Sequence, residues 1–143
     1  MRYASTPVAE EPATEAPADE AEPLVRKFQR ELSAGLTSLV LLSVLSDSDG
    51  DLYGYEIARR LGTQATVASP FKQGALYPVL RNMSAAGLLS SRVVPSYAGP
   101  PRRYYRITPL GRSVLSSWRG TWVETRNFVD SIVKENTTRE TTP

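Results

Sequence analysis

The sequence predicts a mainly α protein with a small β-hairpin (α+β), in the order helix, helix, helix, hairpin, long helix. Between the two chain ends, apolar residues recur at helical spacing in every stretch but one. The exception, residues 88–107, mixes β-branched and polar residues around the turn Ala98-Gly99-Pro100-Pro101. Helix-start signals, Ser69-Pro70 and Thr108-Pro109, stand at the head of two helical stretches. At 143 residues, the chain is long enough for one sizeable core and about one domain.

Residues 1–23 are expected to be a disordered acidic tail. Pro7, Pro12, Pro17 and Pro23 recur there among Ala, Glu and Thr, with little to bury. Pro23 suits the first position of a helix, and Leu24, Phe28 and Leu32 follow at i, i+4, i+8. From Leu36 to Leu45 apolar residues occupy nearly every face, so this helix is the expected centre of the core. Asp47-Ser48-Asp49-Gly50-Asp51 is a polar breaker that ends it. Tyr53 to Leu61 reads as a short helix with Tyr55, Ile57, Ala58 and Leu61 inward and Gly62 as its stop. The third helix starts at Ser69-Pro70, turns Leu76, Leu80 and Met83 inward with Val79 alongside, and closes at Gly87. Leu88–Tyr97 and Arg102–Ile107 pair as a hairpin, and one of Tyr104 and Tyr105 should be core. Thr108-Pro109 opens a long helix to about Val133, and residues 136–143 are a polar, disordered tail. A short helix, a turn, a second helix and a two-stranded ribbon make a winged helix-turn-helix whose third helix is the recognition helix. The expected organisation is therefore a DNA-binding domain over 24–108 and a dimerisation helix over 109–135.

Composition excludes whole classes of function. There is no Cys and no His, which removes disulfides, zinc sites, thiol nucleophiles and imidazole chemistry. No cofactor, metal or catalytic residue is expected. The longest apolar stretch, Leu36–Leu45, is about half the ~20 residues needed to span a bilayer. With an N-terminus that lacks an apolar signal segment, this points to a cytoplasmic protein.

Charge is more telling in its distribution than in its total of +2. Residues 1–23 carry one Arg against six acids, a net −5, so the remainder is +7. From Ile57 to Val123 there are ten basic residues, nine of them Arg, and no Asp or Glu. Such a stretch is what a polyanion-facing surface needs, although a merely basic soluble domain would show it too. Arginine also suits forked recognition of phosphate and guanine edges.

Four strings then fall in order: Tyr53-Gly54-Tyr55-Glu56-Ile57, Gly74-Ala75-Leu76-Tyr77-Pro78, Gly87-Leu88, and Arg102-Arg103-Tyr104-Tyr105-Arg106-Ile107-Thr108 with Gly111 beyond. In these the sequence resembles the PadR family of bacterial transcriptional regulators, from about Glu31 to Arg112. The resemblance implies a homodimeric repressor. Its winged helix would bind a palindromic operator on double-stranded DNA, its C-terminal helix would form the dimer interface, and a small aromatic or cationic effector would release the DNA. The family carries Ser-Pro just before the glycine of the second string. Here those positions hold Lys72-Gln73, and Ser-Pro lies at 69–70, which allows the helix to start a turn earlier.

On this reading Lys72, Gln73, Gly74, Tyr77 and Arg81 lie in the first turns of the recognition helix, with side chains suited to base edges and phosphates. Tyr97, Arg102 and Arg103 sit at a stiff wing tip suited to a phosphate or a narrow minor groove. Tyr53 and Tyr55 are open to two roles, phosphate or pocket contacts and core or capping contacts. Leu115, Trp118, Trp122, Val129 and Ile132 trace a seam for a partner helix, with packing against the first helix as the alternative. The multidrug-binding branch of the family stacks flat drugs on a tryptophan at the dimer centre. Trp122, eleven residues after Gly111, stands at the matching position, whereas Trp118 does not. Both are candidate contacts for a small planar aromatic effector. The rival reading is a winged-helix protein-interaction module that does not bind DNA. An enzyme is disfavoured, because Ile57–Val123 offers no carboxylate and nothing resembles a nucleophile with its base.

Overall fold

A computed structural model of the chain describes residues 18–48, 50–64 and 73–141. In chain order these form α1 (Ala18–Ser46), β1 (Leu52–Tyr53), α2 (Gly54–Gln64), α3 (Gln73–Ala85), β2 (Leu89–Val94), β3 (Arg102–Ile107) and α4 (Pro109–Thr141). The all-round apolar run of α1 is where the other elements meet. Leu41, Leu42 and Leu45 are buried against Ile57 and Leu61 of α2, Leu76, Leu80 and Met83 of α3, Tyr105 and Ile107 of β3, and Leu115 of α4. The hydroxyls within that run are satisfied along the helix itself. Thr37 Oγ1 donates to the Ser33 carbonyl at 2.6 Å and Ser43 Oγ to the Leu39 carbonyl at 2.7 Å.

The three strands form an antiparallel sheet in the order β1-β3-β2. The hairpin was expected; the short β1 was not. It pairs Leu52 with Tyr105 and Tyr53 with Tyr104, which places β3 in the middle. At two residues, β1 is too short to show an alternating pattern in sequence.

Backbone chemistry fixes how the wing leaves the helices. Gly87 takes φ 84°, a left-handed conformation that glycine adopts freely. The Gly87 amide then donates to the Ser84 carbonyl and the Leu88 amide to the Met83 carbonyl, which closes α3 in a Schellman motif. Thr108 caps α4, its Oγ1 accepting from the Gly111 amide at 3.0 Å and donating to the Gly87 carbonyl at 2.6 Å. One hydroxyl thus ties the end of α3 to the start of α4. A Cβ on Gly111 would collide with the Leu88 carbonyl, so this helix start needs glycine.

Several element limits differ from the sequence reading. The first helix begins at Ala18, not Pro23, so residues 18–22 of the expected tail are helical. Asp19 and Glu20 favour a helix N-terminus, and Glu22 pairs with Arg26 across the proline. The remainder of the expected tail, residues 1–17, lies outside the described residues. α2 continues past Gly62 to Gln64; one glycine costs only about 1 kcal/mol, and Leu61 anchors the turn before it. The expected start of α3 at Ser69-Pro70 lies outside the described residues. α4 runs to Thr141, through most of the expected C-terminal tail, because neither Gly nor Pro interrupts residues 121–142. Tyr55, expected inward, is exposed, while Ile57 and Leu61 are buried. Of the adjacent pair on β3, Tyr105 is core and Tyr104 half-buried.

The two glycines of α4 should respond oppositely to alanine. Gly111→Ala should lower unfolding free energy by about 1–3 kcal/mol through the clash with Leu88. Gly120 has nothing within 4 Å. Gly120→Ala should raise stability by about 1 kcal/mol. Urea titrations of both variants check the pair.

Candidate nucleic-acid interface

The central strand β3 has two chemically different faces. Residues opposite each other across an antiparallel ladder share a face. Tyr105 and Ile107 turn toward the helices, together with Leu52 of β1 and Leu89 of β2. Arg103 follows on the same face nearer the tip, where its Nη1 donates to Ser91 Oγ at 3.2 Å. Burial raises the Tyr105 hydroxyl above its ordinary value, an effect that the nearby Arg103 and Arg81 charges oppose. Arg81 of α3 and Arg103 of the wing thus both bear on one buried tyrosine.

The opposite face carries Arg102, Tyr104 and Arg106, with Tyr53 and Arg92 alongside. The Arg102 guanidinium lies 4.8 Å from the Tyr53 ring centroid. Tyr53 stacks on Tyr55 at 6.1 Å and leans against Tyr104 at 5.6 Å. Arg92 lies 5.7 Å over Tyr104. At the inner end, Asp51 accepts from Arg92 Nε at 2.6 Å on one carboxylate oxygen and from Arg106 Nε at 2.6 Å on the other. The aspartate side chain is 13% exposed beneath arginines that are 67% and 61% exposed. The hydrogen bond from Arg92 holds the Asp51 carboxyl below its ordinary value, desolvation opposes this, and Arg106 adds to the lowering.

A cleft of about 580 Å³ opens between the wing tip and the helices. Tyr53, Gly54 and Tyr55 line one side, Tyr77 of α3 the floor, and Arg102, Arg103 and Pro100 the wing. Glycine at 54 leaves room for the Tyr77 ring, which a Cβ there would displace. The structure thus brings together Tyr77, Arg102 and Arg103, with Arg81 exposed on the next turn of α3. Gln73 and Gly74 are the first described residues of α3, and Lys72 lies outside the described residues. Tyr97 is fully exposed at the tip and does not line the cleft. Tyr53 and Tyr55 both line the cleft, Tyr53 half-buried and Tyr55 exposed. The Asp51 pairs were missed. In sequence Asp51 is one of three aspartates in the polar run 47–51, and nothing sets it apart from Asp47 and Asp49.

A second, apolar groove of about 630 Å³ separates α1 from α4. Phe28, Leu32 and Leu36 line it from α1, and Trp118, Trp122 and Val129 from α4. Leu115, expected on the partner-facing seam, is instead 1% exposed in the chain's own core and has no surface left for a partner. The reason is that the first two turns of α4 lie directly on α1. Ile132 is exposed further along α4 but does not line the groove.

A family model for the transcriptional regulator PadR-like family matches residues 41–117. The chain belongs to that family. The matched region runs from the α1 core through α2, α3 and the wing into α4. Relatives and solved structures are similar over about two thirds of the chain or more. A transcriptional regulator of Mycobacterium tuberculosis, Rv3488, is 37% identical over 98 residues, 66% of this chain and 79% of that protein. The crystal structure of a PadR family transcriptional regulator from Eggerthella lenta superposes with a TM-score of 0.70 at 28% identity, covering 81% of this chain and 97% of the other. A PadR-like transcriptional regulator from Bacillus cereus superposes with a TM-score of 0.59 at 25% identity, covering 72% and 96%. This PadR-like protein is accordingly a DNA-binding transcriptional regulator and not an enzyme. No described helix is long and apolar enough to cross a membrane.

The Asp51 pairs have a pH signature. A carboxyl held below its ordinary 3.8 contributes stability that is present above that value and lost as pH falls through the lowered one. Wild type should exceed Asp51→Asn in unfolding free energy by a constant margin above pH about 5, and the margin should shrink below about 4. Thermal unfolding of both proteins across that range checks the sign.

Proposed function

We propose that the chain is a cytoplasmic, ligand-responsive repressor that binds a palindromic operator as a homodimer. The observation that carries the DNA contact is the convergence of α3 and the wing on one basic cleft. Tyr77 of the recognition helix lines it with Arg102 and Arg103 of the wing, Arg81 is exposed one turn beyond Tyr77, and all four belong to a sequence stretch with no acid to oppose them. A recognition helix beside a basic wing matches major-groove entry flanked by a phosphate or minor-groove contact. Gln73 and Gly74 at the start of α3, with Lys72 just before them in sequence, would supply base or backbone contacts, and Tyr97 at the tip a further phosphate contact.

Dimerisation is supported by uncovered apolar surface. Leu24, Phe28 and Leu32 on α1 and Val129, Ile132 and Val133 on α4 are all exposed. Such a surface on two neighbouring helices marks an association site. Trp118, Trp122, Val129 and Ile132 would form the interface, with Leu115 beneath them in the protomer's own core. The same groove supports an effector reading. Two indoles line it, with Glu31, Asp130 and Arg126 among an otherwise mostly apolar set, a lining suited to a flat aromatic molecule.

Arg81→Ala and the double variant Arg102→Ala/Arg103→Ala should stay folded and bind operator DNA more weakly. Each lost phosphate contact should flatten the slope of log K against log salt by about 0.9. Unchanged affinity and slope in both variants would refute the DNA assignment. At the groove, Trp118→Ala should shift sedimentation toward monomer. Trp122→Ala should keep more of the dimer and lose the fluorescence quenching produced by a planar cationic dye. A wild-type monomer at micromolar concentration refutes the interface, and undiminished dye binding by Trp122→Ala refutes the effector site.

A further inference from the structure

The outer face of the sheet holds an unbroken run of contacts from the base of the wing to its tip. It begins at Asp51, which grips Arg92 at 2.6 Å. Arg92 lies over the Tyr104 ring, Tyr104 leans on Tyr53, and Tyr53 carries the Arg102 guanidinium at 4.8 Å. Each step restricts the next side chain. An arginine hydrogen-bonded at Nε has few rotamers left, and a ring held between two neighbours presents a fixed face. The Arg103 side chain stands outside this run. It lies on the opposite face of the strand and is held by Ser91 instead.

We propose that Asp51 is a positioning residue for DNA binding, which acts through Arg92, Tyr104 and Tyr53 to preset the guanidinium of Arg102 and does not act on Arg103. The proposal rests on the DNA-binding reading above and adds a residue that touches no DNA. Its physical content is entropy. A free arginine gives up its rotamer freedom when it is ordered on a phosphate. An arginine already seated on a ring loses less. Asp51 also keeps Arg92 and Arg106 occupied, so the ten basic residues of the acid-free stretch are not ten equivalent phosphate ligands.

The two faces of β3 make the test specific. Binding of a mixed-sequence duplex at low ionic strength is measured for Asp51→Asn in three backgrounds: wild type, Arg102→Ala and Arg103→Ala. Asp51→Asn should weaken binding roughly three- to tenfold in the wild-type and Arg103→Ala backgrounds, and leave it unchanged in Arg102→Ala. The salt slope should follow the same pattern, flattening by up to about 0.9 in the first two only. Arg92→Gln, which cuts the run one step later, should reproduce this result if Asp51→Asn fails to fold. An equal loss in all three backgrounds would show a general effect on the fold and overturn the proposal. No loss in wild type, or tighter binding from released arginines, overturns it as well. A wild-type chain that binds no duplex contradicts the DNA-binding reading itself. The run of contacts is then judged by amide exchange, which should accelerate at Arg102–Tyr104 in Asp51→Asn and stay unchanged in α4; unaltered exchange at the wing contradicts it.

Discussion

The central position of β3 is the constraint on which the interface depends. A strand flanked on both sides has its side chains divided between two faces with no freedom to exchange them. Tyr105 and Ile107 go into the core, which orients the whole wing against α1 and α3. The alternation then decides the rest. Arg103 must fall on the face of Tyr105, and Arg102 on the side of Tyr53 and Asp51. Two adjacent arginines that look equivalent in sequence thus have different neighbours. The short strand β1 matters for the same reason, because pairing Tyr53 with Tyr104 is what supplies the ring under Arg102.

The sheet in turn depends on two caps. Gly87 turns the chain out of α3 and Thr108 turns it into α4, and the Thr108 hydroxyl bridges them. The wing therefore springs from a base fixed by hydrogen bonds at both of its roots. Asp51 adds a third attachment on the outer face, joining the segment before β1 to both wing strands. α3 and a wing so joined face each other across one surface. The aromatic residues between them, Tyr53, Tyr55 and Tyr77, give that surface its concave shape.

Much of this was legible in sequence because it follows from periodicity and punctuation. Leu76, Leu80 and Met83 announce the buried side of α3, and Thr108-Pro109 announces the start of α4. The motif strings placed Tyr77, Arg102 and Arg103 on elements that do meet. What escaped is what depends on pairing at a distance. Asp51 reads as part of a polar breaker, and its partners lie 41 and 55 residues away. Nothing local marks them. Leu115 escaped for a related reason: it shares the helical stripe of Trp118 and Trp122, and only the position of α1 decides that the stripe passes from core to surface between them. The early start of α1 shows local charge outweighing a proline near a helix terminus.

The central claim is that α3 and the wing engage DNA together while the far part of α4 stays clear of it. The most direct test is a map of backbone amide shifts in isotope-labelled protein titrated with the promoter duplex of its own gene. The account predicts that shifts cluster at residues 75–81 of α3, at the wing tip 96–103 and at Tyr53–Tyr55, and that residues 118–133 of α4 do not move on DNA addition. Shifts concentrated on α4, with the wing tip and α3 unaffected, would contradict it.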